Sequence, residues 1–310
     1  MVRQFGQNLT RAAQAIVLFT SLAPSAHAAP VGEPAIEPKV IYGDDDRRDI
    51  YAQDLNPQLV RVAQSTGILI RRESLITDAQ NPQIVNVTAQ TLENGMGVCA
   101  NEPFHDQPAA GFCSGFLVGP DLFVTAGHCI KSQTDCDGTG IAFGFAYDTP
   151  SRDPKRLAKS DVYRCSSIVS RHLDPTGAEK LDYAVVKLDR PVVGHAPMKI
   201  HRAGSVHPGD GVTVLGYPSG IPLKIAGGAA VRSESADVFF VANLDTYGGN
   251  SGSAVVNSST LEVEGILVRG ERDYVSQNGC MISNRCPADG CRGEDVTKIG
   301  NIVSFVPALD

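Results

Sequence analysis

Short apolar segments rich in β-branched and aromatic residues recur along this chain, and turn signals separate them. The clearest turn signals are Gly-Pro-Asp at 119–121, Asp-Gly at 137–138 and Pro-Gly-Asp-Gly at 208–211. Short strands at roughly even spacing are typical of a β-barrel or a β-sandwich. The pattern predicts an all-β protein with strands over residues 67–70, 116–118, 122–126, 183–188, 212–215, 238–241, 254–256 and 263–268.

The composition is that of a globular protein, since 42% of the 310 residues are hydrophobic and 20% are charged. The formal net charge is −7 at pH 7. Removal of residues 1–28, which contain two Arg and no acidic residue, would make it −9. Such a chain has no general attraction to a polyanion, so we predict no nucleic-acid partner.

The first 28 residues have the pattern of a secretory signal peptide. Arg3 and Arg11 precede an apolar run over residues 12–22, and the small-residue triplet Ala-His-Ala occupies 26–28. This run is shorter than the roughly 20 residues that a membrane-spanning helix needs. We therefore predict a secreted protein, extracellular or periplasmic, without stable membrane insertion. Its eight cysteines should form disulfides in that oxidising compartment.

Residues 29–39 contain three Pro and one Gly, which excludes a regular element and predicts a linker or a short propeptide. The folded domain is then expected over residues 40–310.

Three segments carry the residue types of a catalytic triad. They are Thr-Ala-Gly-His-Cys at 125–129, Leu-Asp-Tyr-Ala-Val-Val-Lys-Leu at 181–188 and Gly-Gly-Asn-Ser-Gly-Ser at 248–253. In chain order they supply His128, Asp182 and Ser251. A serine hydroxyl needs a base to remove its proton and a carboxylate to orient that base. An α/β-hydrolase has the order Ser, Asp, His, and Ser253 stands where its G-x-S-x-G motif requires Gly.

With these motifs the chain resembles the chymotrypsin-like (trypsin-like) serine peptidases, and within them the exported bacterial branch similar to glutamyl endopeptidases. The resemblance extends from Val40 to Val306 and includes residues 40–47, 113–118 and 216–224. It implies two packed antiparallel six-stranded β-barrels with the active site in the crevice between them. The first barrel is expected at about 40–195 and the second at about 196–310.

The resemblance also implies the catalytic roles. His128 would be the general base, Asp182 its orienting carboxylate and Ser251 the nucleophile. The backbone N–H groups of Gly249 and Ser251 would form the oxyanion hole. Acyl transfer of this kind needs neither a metal ion nor an organic cofactor, so none is expected.

Substrate preference is predicted from Asp245, which precedes Ser251 by six residues, the offset of the pocket aspartate in trypsin. Asp245 would then favour Lys or Arg at P1. The alternative is a structural aspartate in the 244–246 turn. Glutamyl specificity is less favoured, because Leu267 occupies the position of a pocket histidine in those enzymes. Val268 and Gly270, on the same strand, are further substrate-binding candidates.

Cys113 and Cys129 match the family disulfide that holds the loop with the catalytic histidine. A closed loop of about 16 residues stabilises a fold by roughly 3 kcal/mol in the chain-entropy model. The pairing of the other six cysteines stays open, because six allow 15 connectivities.

The junction Lys39/Val40-Ile41 resembles the activation site of trypsin-like zymogens, and a Lys/Arg preference would make cleavage there autocatalytic. In such zymogens the new N-terminus pairs with an aspartate before the nucleophile, but this chain has Asn250 there. We therefore expect maturation before Val40 to matter, without assigning its mechanism.

The sequence thus predicts a secreted serine endopeptidase acting on proteins or peptides. An esterase with the same triad and a non-catalytic binding module on the same fold are the alternatives. The physiological substrate and the oligomeric state stay open.

Overall fold

Most of the regular structure in the described residues is β-strand, as the turn-rich sequence predicts. The structure is a computed structural model that describes Met1, residues 40–174 and residues 180–309. The predicted signal peptide, apart from Met1, and the predicted propeptide or linker lie outside the described residues.

The described residues contain short strands throughout. The strands of the N-terminal half are β1 (Ile41–Tyr42), β2 (Arg47–Asp49), β3 (Thr66–Arg71), β4 (Leu75–Thr77), β5 (Ile84–Val87), β6 (Gln90–Thr91), β7 (Pro108–Ala109), β8 (Cys113–Leu117), β9 (Leu122–Thr125), β10 (Thr139–Ala142) and β11 (Arg156–Ala158). Those that follow are β12 (Val162–Leu173), β13 (Asp182–Leu188), β14 (Gly211–Gly216), β15 (Lys224–Ser233), β16 (Phe239–Ala242), β17 (Ala254–Asn257), β18 (Val263–Arg269), β19 (Tyr274–Gln277), β20 (Cys280–Ser283), β21 (Arg285–Cys286) and β22 (Glu294–Lys298).

Six of these strands close a first antiparallel barrel in the order β10-β12-β13-β9-β8-β3. A second barrel closes in the order β14-β17-β18-β22-β16-β15, because β15 also pairs with β14, and β2 attaches to the outer edge of β15. The all-β, two-barrel prediction is confirmed. Each of the eight predicted strands overlaps a barrel strand, but β10, β12, β15 and β22 were not predicted.

The remaining elements are short. Three α-helices, α1 (Pro57–Ala63), α2 (Leu92–Met96) and α3 (Gln133–Asp137), each begin at a side-chain cap: Asn56, Thr91 and Ser132. Four 3₁₀-helices cover Arg72–Ser74, Lys159–Asp161, Pro218–Gly220 and Ile299–Phe305. Among the residues that the structure describes, no helix is long and apolar enough to cross a membrane.

Polar contacts join the two barrels at a few buried points. Ser114 on β8 of the first barrel donates its backbone N–H to the carbonyl of Ser251, in a loop of the second, at 2.8 Å. Thr297 on β22 donates its hydroxyl to the carbonyl of Asp182 on β13 at 2.9 Å. The three predicted triad residues therefore lie on segments that meet where the barrels contact each other.

Four disulfides use all eight cysteines, joining Cys99 to Cys280, Cys113 to Cys129, Cys136 to Cys165 and Cys286 to Cys291. The Cys113–Cys129 pairing is the one that the family resemblance implied. Cys99–Cys280 links residues 181 apart in sequence and so joins the segment after α2 to the start of β20.

Candidate active site

His128 lies in the turn that follows β9, and its ring contacts the first residue of β13. Asp182 Oδ2 is 2.7 Å from His128 Nδ1, while Asp182 Oδ1 accepts the backbone N–H of His128 at 3.1 Å. One carboxylate thus fixes both the backbone and the ring. Because a carboxylate can only accept, Nδ1 carries the proton of the neutral ring and Nε2 is left as the acceptor.

Asp182 is 1% exposed. Burial acts to raise its pKa, but the hydrogen bond from His128 and the nearby charges of His128 and Arg269 outweigh burial. The pKa of Asp182 is therefore below its ordinary value, so the group that holds the imidazole is an ionised carboxylate at neutral pH.

His128 Nε2 is buried and has no hydrogen-bond partner among the described residues. An unsatisfied buried polar atom is costly in a folded protein and needs a reason. Such a nitrogen can accept a proton from a bound molecule. The ring is otherwise enclosed, since the His128 side chain is only 9% exposed.

Ser251 is held in a tight loop between the barrels and is 3% exposed. The next residue, Gly252, donates its N–H to the carbonyl of Leu267 on β18 at 2.7 Å. Gly252 has φ +90°, and a Cβ there would lie 2.1 Å from the carbonyl oxygen of Ser114. Only glycine fits this position, which explains the Ser-Gly pair of the motif.

Ser114 fastens this loop to the first barrel. Besides donating its N–H to Ser251, it donates its hydroxyl to the Gly249 carbonyl at 2.7 Å and accepts the Tyr217 N–H at 3.0 Å. No sequence motif singled out Ser114. Its only signal was its place in the Cys-Ser-Gly segment at 113–115.

The Cys113–Cys129 disulfide lies beside the same residues. The Cys129 sulfur is 3.7 Å from the Ser251 carbonyl oxygen, and potential ligand atoms of Cys113, Cys129 and His128 lie within 4.8 Å of one another. Metal binding at this group would need thiolates. Since both sulfurs are in the disulfide, the group lacks the donors of a metal site.

Asp245 is buried beside the N-terminal segment, defined as residues 40–46. Its Oδ1 accepts the backbone N–H of Tyr42 at 2.8 Å, and its Oδ2 accepts that of Asp46 at 2.9 Å. Burial raises the pKa of Asp245 to about 7, although both N–H groups act to lower it. Each carboxylate oxygen thus already has a structural partner, as the alternative of a structural aspartate requires.

The start of the N-terminal segment is inserted into the protein. Val40 and Ile41 are fully buried, and β1 pairs in parallel with β21. The Val40 carbonyl accepts the N–H of Thr246 at 3.3 Å. The segment therefore packs directly against the residues that precede the Ser251 loop.

The part of the chain that carries the triad contacts matches a known family in sequence. Residues 113–266, which include the three candidate triad residues, match the family model described as a trypsin-like peptidase domain. This part of the chain is a trypsin-like peptidase domain.

Two curated proteins and one solved structure resemble the chain that carries this trypsin-like peptidase domain. The "Glutamyl endopeptidase" of Bacillus licheniformis is 30% identical over 168 residues, which are 50% of this chain and 48% of that protein. The "Uncharacterized protein y4fB" of Sinorhizobium fredii is 27% identical over 201 residues, 59% of this chain and 29% of that protein. The chain thus spans about half the length of the first relative and under a third of the second. The VesB protease structure from Vibrio cholerae superimposes with a TM-score of 0.50 at 15% identity, covering 86% of this chain and 66% of that one, which shows a shared fold.

Within the trypsin-like peptidase domain and the strands after it, the substrate-binding candidates adjoin a second buried carboxylate. Val268 is fully buried on β18, and a Cβ on Gly270 would lie only 1.6 Å from Glu294 Oε2. Glu294 is itself 0% exposed and accepts the hydroxyls of Thr246 at 2.9 Å and Tyr42 at 3.3 Å. Tyr42 therefore contacts both Asp245 and Glu294.

Glu294 and Arg269 were missed by the sequence analysis. Glu294 begins β22, a strand whose Glu-Asp-Val-Thr-Lys sequence has no apolar alternation. Arg269 ends β18, one residue after Val268, and its Nη1 is 3.9 Å from Asp182 Oδ2. Neither position matched a sequence motif. The residues that contact Glu294 and Arg269 are brought to them only by closure of the second barrel.

Proposed function

We propose that this chain is a serine endopeptidase that hydrolyses peptide bonds through an acyl-enzyme on Ser251. The observation that carries the proposal is the 2.7 Å contact of His128 Nδ1 with Asp182, with a buried Nε2 left to receive a proton. The trypsin-like peptidase match and the relative named a glutamyl endopeptidase support the same reaction class.

In the proposed acylation step, Ser251 Oγ attacks the scissile carbonyl carbon while its proton passes to His128 Nε2. The carbonyl π electrons move onto oxygen, and the N–H groups of Gly249 and Ser251 stabilise the resulting oxyanion. Asp182 stabilises the imidazolium. His128 then returns the proton to the leaving amine as the C–N bond breaks.

In the proposed deacylation step, water attacks the ester carbonyl of the acyl-enzyme. His128 Nε2 takes a proton from that water and then protonates Ser251 Oγ as the C–O bond breaks. The new carboxylic acid leaves, and the enzyme returns to its starting state. One base therefore serves both half-reactions.

We further propose that the protein acts after export and after processing at Lys39/Val40. Four disulfides are typical of proteins in an oxidising compartment. The burial of Val40 and Ile41 gives the segment that follows this junction a defined place in the folded protein.

The direct test is mass-spectrometric mapping of cleavage in a defined peptide mixture. The wild-type protein, purified after export, should cut peptides, and the Ser251→Ala protein should not. Intact mass of the purified protein shows whether its N-terminus is Val40. Cleavage of ester substrates alone would favour the esterase alternative. Full activity of the Ser251→Ala protein would contradict the role of Ser251 as nucleophile. No hydrolysis by folded, processed wild-type protein would favour a binding module.

We propose a preference for Lys or Arg at P1, on the strength of two buried carboxylates near the candidate pocket. Asp245 and Glu294 would repel a glutamate side chain and attract a cation. A pKa of about 7 makes Asp245 only partly ionised at neutral pH, and both its oxygens already accept N–H groups. Both oxygens of Glu294 also accept hydrogen bonds, from Tyr42 and Thr246, so the choice rests on position. Glu294 is packed against Gly270, a substrate-binding candidate, and is therefore the stronger candidate for the P1 cation.

Glu294→Gln and Asp245→Asn form a matched pair of charge-removing variants. We expect Glu294→Gln to lower kcat/KM for Lys or Arg substrates by roughly 10² to 10³, because the cationic side chain at P1 would be buried without a negative partner. Asp245→Asn should instead change the free energy of unfolding and its dependence on pH. Between pH 3.8 and about 7 the folded state keeps a proton on Asp245 that the unfolded chain has already released. The free energy of unfolding of the wild type should therefore fall as pH rises through that window.

The measurements are P1 profiles of both folded variants and urea unfolding at several pH values. Loss of Lys/Arg selectivity in Asp245→Asn alone would return the pocket role to Asp245. An unchanged P1 profile in both variants would end the Lys/Arg proposal, and a wild-type preference for Glu would replace it with the specificity named for the relative.

A further inference from the structure

The carboxylate of Asp182 has a second charged neighbour besides His128. Arg269 Nη1 lies 3.9 Å from Asp182 Oδ2, the same oxygen that is 2.7 Å from His128 Nδ1. The imidazole and the guanidinium therefore share one carboxylate oxygen. The Arg269 side chain is only 19% exposed, so solvent screens this contact weakly.

Other contacts hold the Arg269 guanidinium in place. Its Nε is 3.4 Å from Asp295 Oδ2, and its Nη2 donates to the Lys180 carbonyl. Asp295 is 1% exposed and also accepts a hydrogen bond from Arg292 Nη1. Charges thus alternate along a continuous row behind His128: Asp182, Arg269, Asp295 and Arg292.

A fixed cation at this place has two effects on the triad. It orients the Asp182 carboxylate, which in turn orients His128. Its positive charge also opposes formation of a second cation on the imidazole, because like charges held close to the same oxygen repel each other. His128 must be neutral to accept the Ser251 proton, so a cation that disfavours imidazolium widens the pH range of the active form.

We propose that Arg269 is a positioning residue of the triad that keeps His128 neutral, and the enzyme active, to lower pH than the His128–Asp182 pair alone would allow. This inference rests on the proposed function. Arg269 acts through Asp182, and we assign it no contact with the reacting atoms.

Other charged or titratable groups lie on the elements packed against this pair, and their contribution is common to the wild type and to an Arg269 variant. Among the described residues they are Tyr163, Arg164, Arg171, His172 and Asp174 on or just after β12, Lys180 before β13, Tyr183 and Lys187 on β13, Glu264 on β18, and Glu294, Asp295 and Lys298 on β22.

The test compares the pH profile of kcat/KM for wild type and Arg269→Gln. Removal of the cation should move the acid limb of the profile upward by about 1 pH unit, the low end of the range of about 1 to 3 units for a charge within about 4–6 Å. Arg269→Lys retains the charge and should keep most of the wild-type limb. Arg164→Gln is the control for general loss of one positive charge, because Arg164 is 63% exposed and pairs with Asp189. Its acid limb should not move.

A second readout separates this inference from the proposed function. The His128 ring is titrated by NMR in the Ser251→Ala protein, with and without Arg269→Gln, which needs no activity. A titration midpoint that rises in the Arg269→Gln protein supports the inference even if wild type hydrolyses nothing. An unmoved midpoint and an unmoved acid limb would overturn it, whatever the activity. If the Gln variant does not fold, Arg269→Met, which keeps the aliphatic packing, carries the same test.

Discussion

Ser251→Ala, His128→Ala and the double variant are all expected to lower kcat for a peptide substrate by the same factor, about 10⁶. The nucleophile and its base act as one unit, because Ser251 without a proton acceptor is as unreactive as a site without Ser251. Once one of the two residues is removed, removal of the other should lower kcat no further. Substrate binding should survive, so KM should change little.

The measurement is steady-state or single-turnover kinetics on all four proteins, with near-ultraviolet circular dichroism to show that each is folded. Multiplicative losses in the double variant would mean that the two residues act independently. That result would contradict the proposed proton transfer. The small activity that remains should come from the backbone N–H groups of residues 249 and 251 and from substrate binding, which all three variants retain.

Much of the fold follows from local sequence, because most barrel strands are apolar and β-branched. The exceptions have physical reasons. β22 begins with Glu294 and Asp295, which a hydrophobicity pattern assigns to the surface, although they are 0% and 1% exposed. Thr246 pairs with Glu294 and Arg269 pairs with Asp295, and both partners are far away in sequence, although Arg292 also contacts Asp295 from three residues before it. Pairing with distant residues permits buried charge but leaves no signal in the local hydrophobicity pattern.

Two further strands were obscured by their own irregularity. β12 is twelve residues long but only half of them are hydrophobic, and register shifts interrupt its pairing with β13. β15 contains Gly227-Gly228, and Gly228 has φ +72° next to a register shift in the pairing with β14. Bulges break the two-residue alternation on which strand prediction depends.

The candidate site divides in the same way. The order of the motifs places a histidine, an aspartate and a serine in one family pattern. That pattern alone predicts the contact of His128 with Asp182. The role of Asp245 could not be chosen from its offset to Ser251, because the choice depends on where residues 40–46 pack. Arg269 and Glu294 depend on closure of the second barrel, which no short motif describes.

Asp182→Asn is expected to lower kcat by about 10⁴ at neutral pH with KM nearly unchanged, the effect typical of a triad aspartate. The structure gives the reason. Asp182 Oδ1 accepts the His128 backbone N–H at 3.1 Å, so an asparagine should place its carbonyl oxygen there and turn its NH₂ toward Nδ1. Nδ1 would then have to accept, which moves the ring proton to Nε2 and blocks proton transfer from Ser251.

Asp189→Asn is the matched control, since Asp189 ends the same region of the chain but pairs with the exposed Arg164 at 3.1 Å. Its kcat should stay within about twofold of wild type, because surface pairs contribute little. Nitrogen chemical shifts of the His128 ring distinguish the two tautomers directly. A large loss of activity in Asp182→Asn without a change of tautomer would show that Asp182 acts by charge alone, whereas equal losses in both variants would remove Asp182 from the triad.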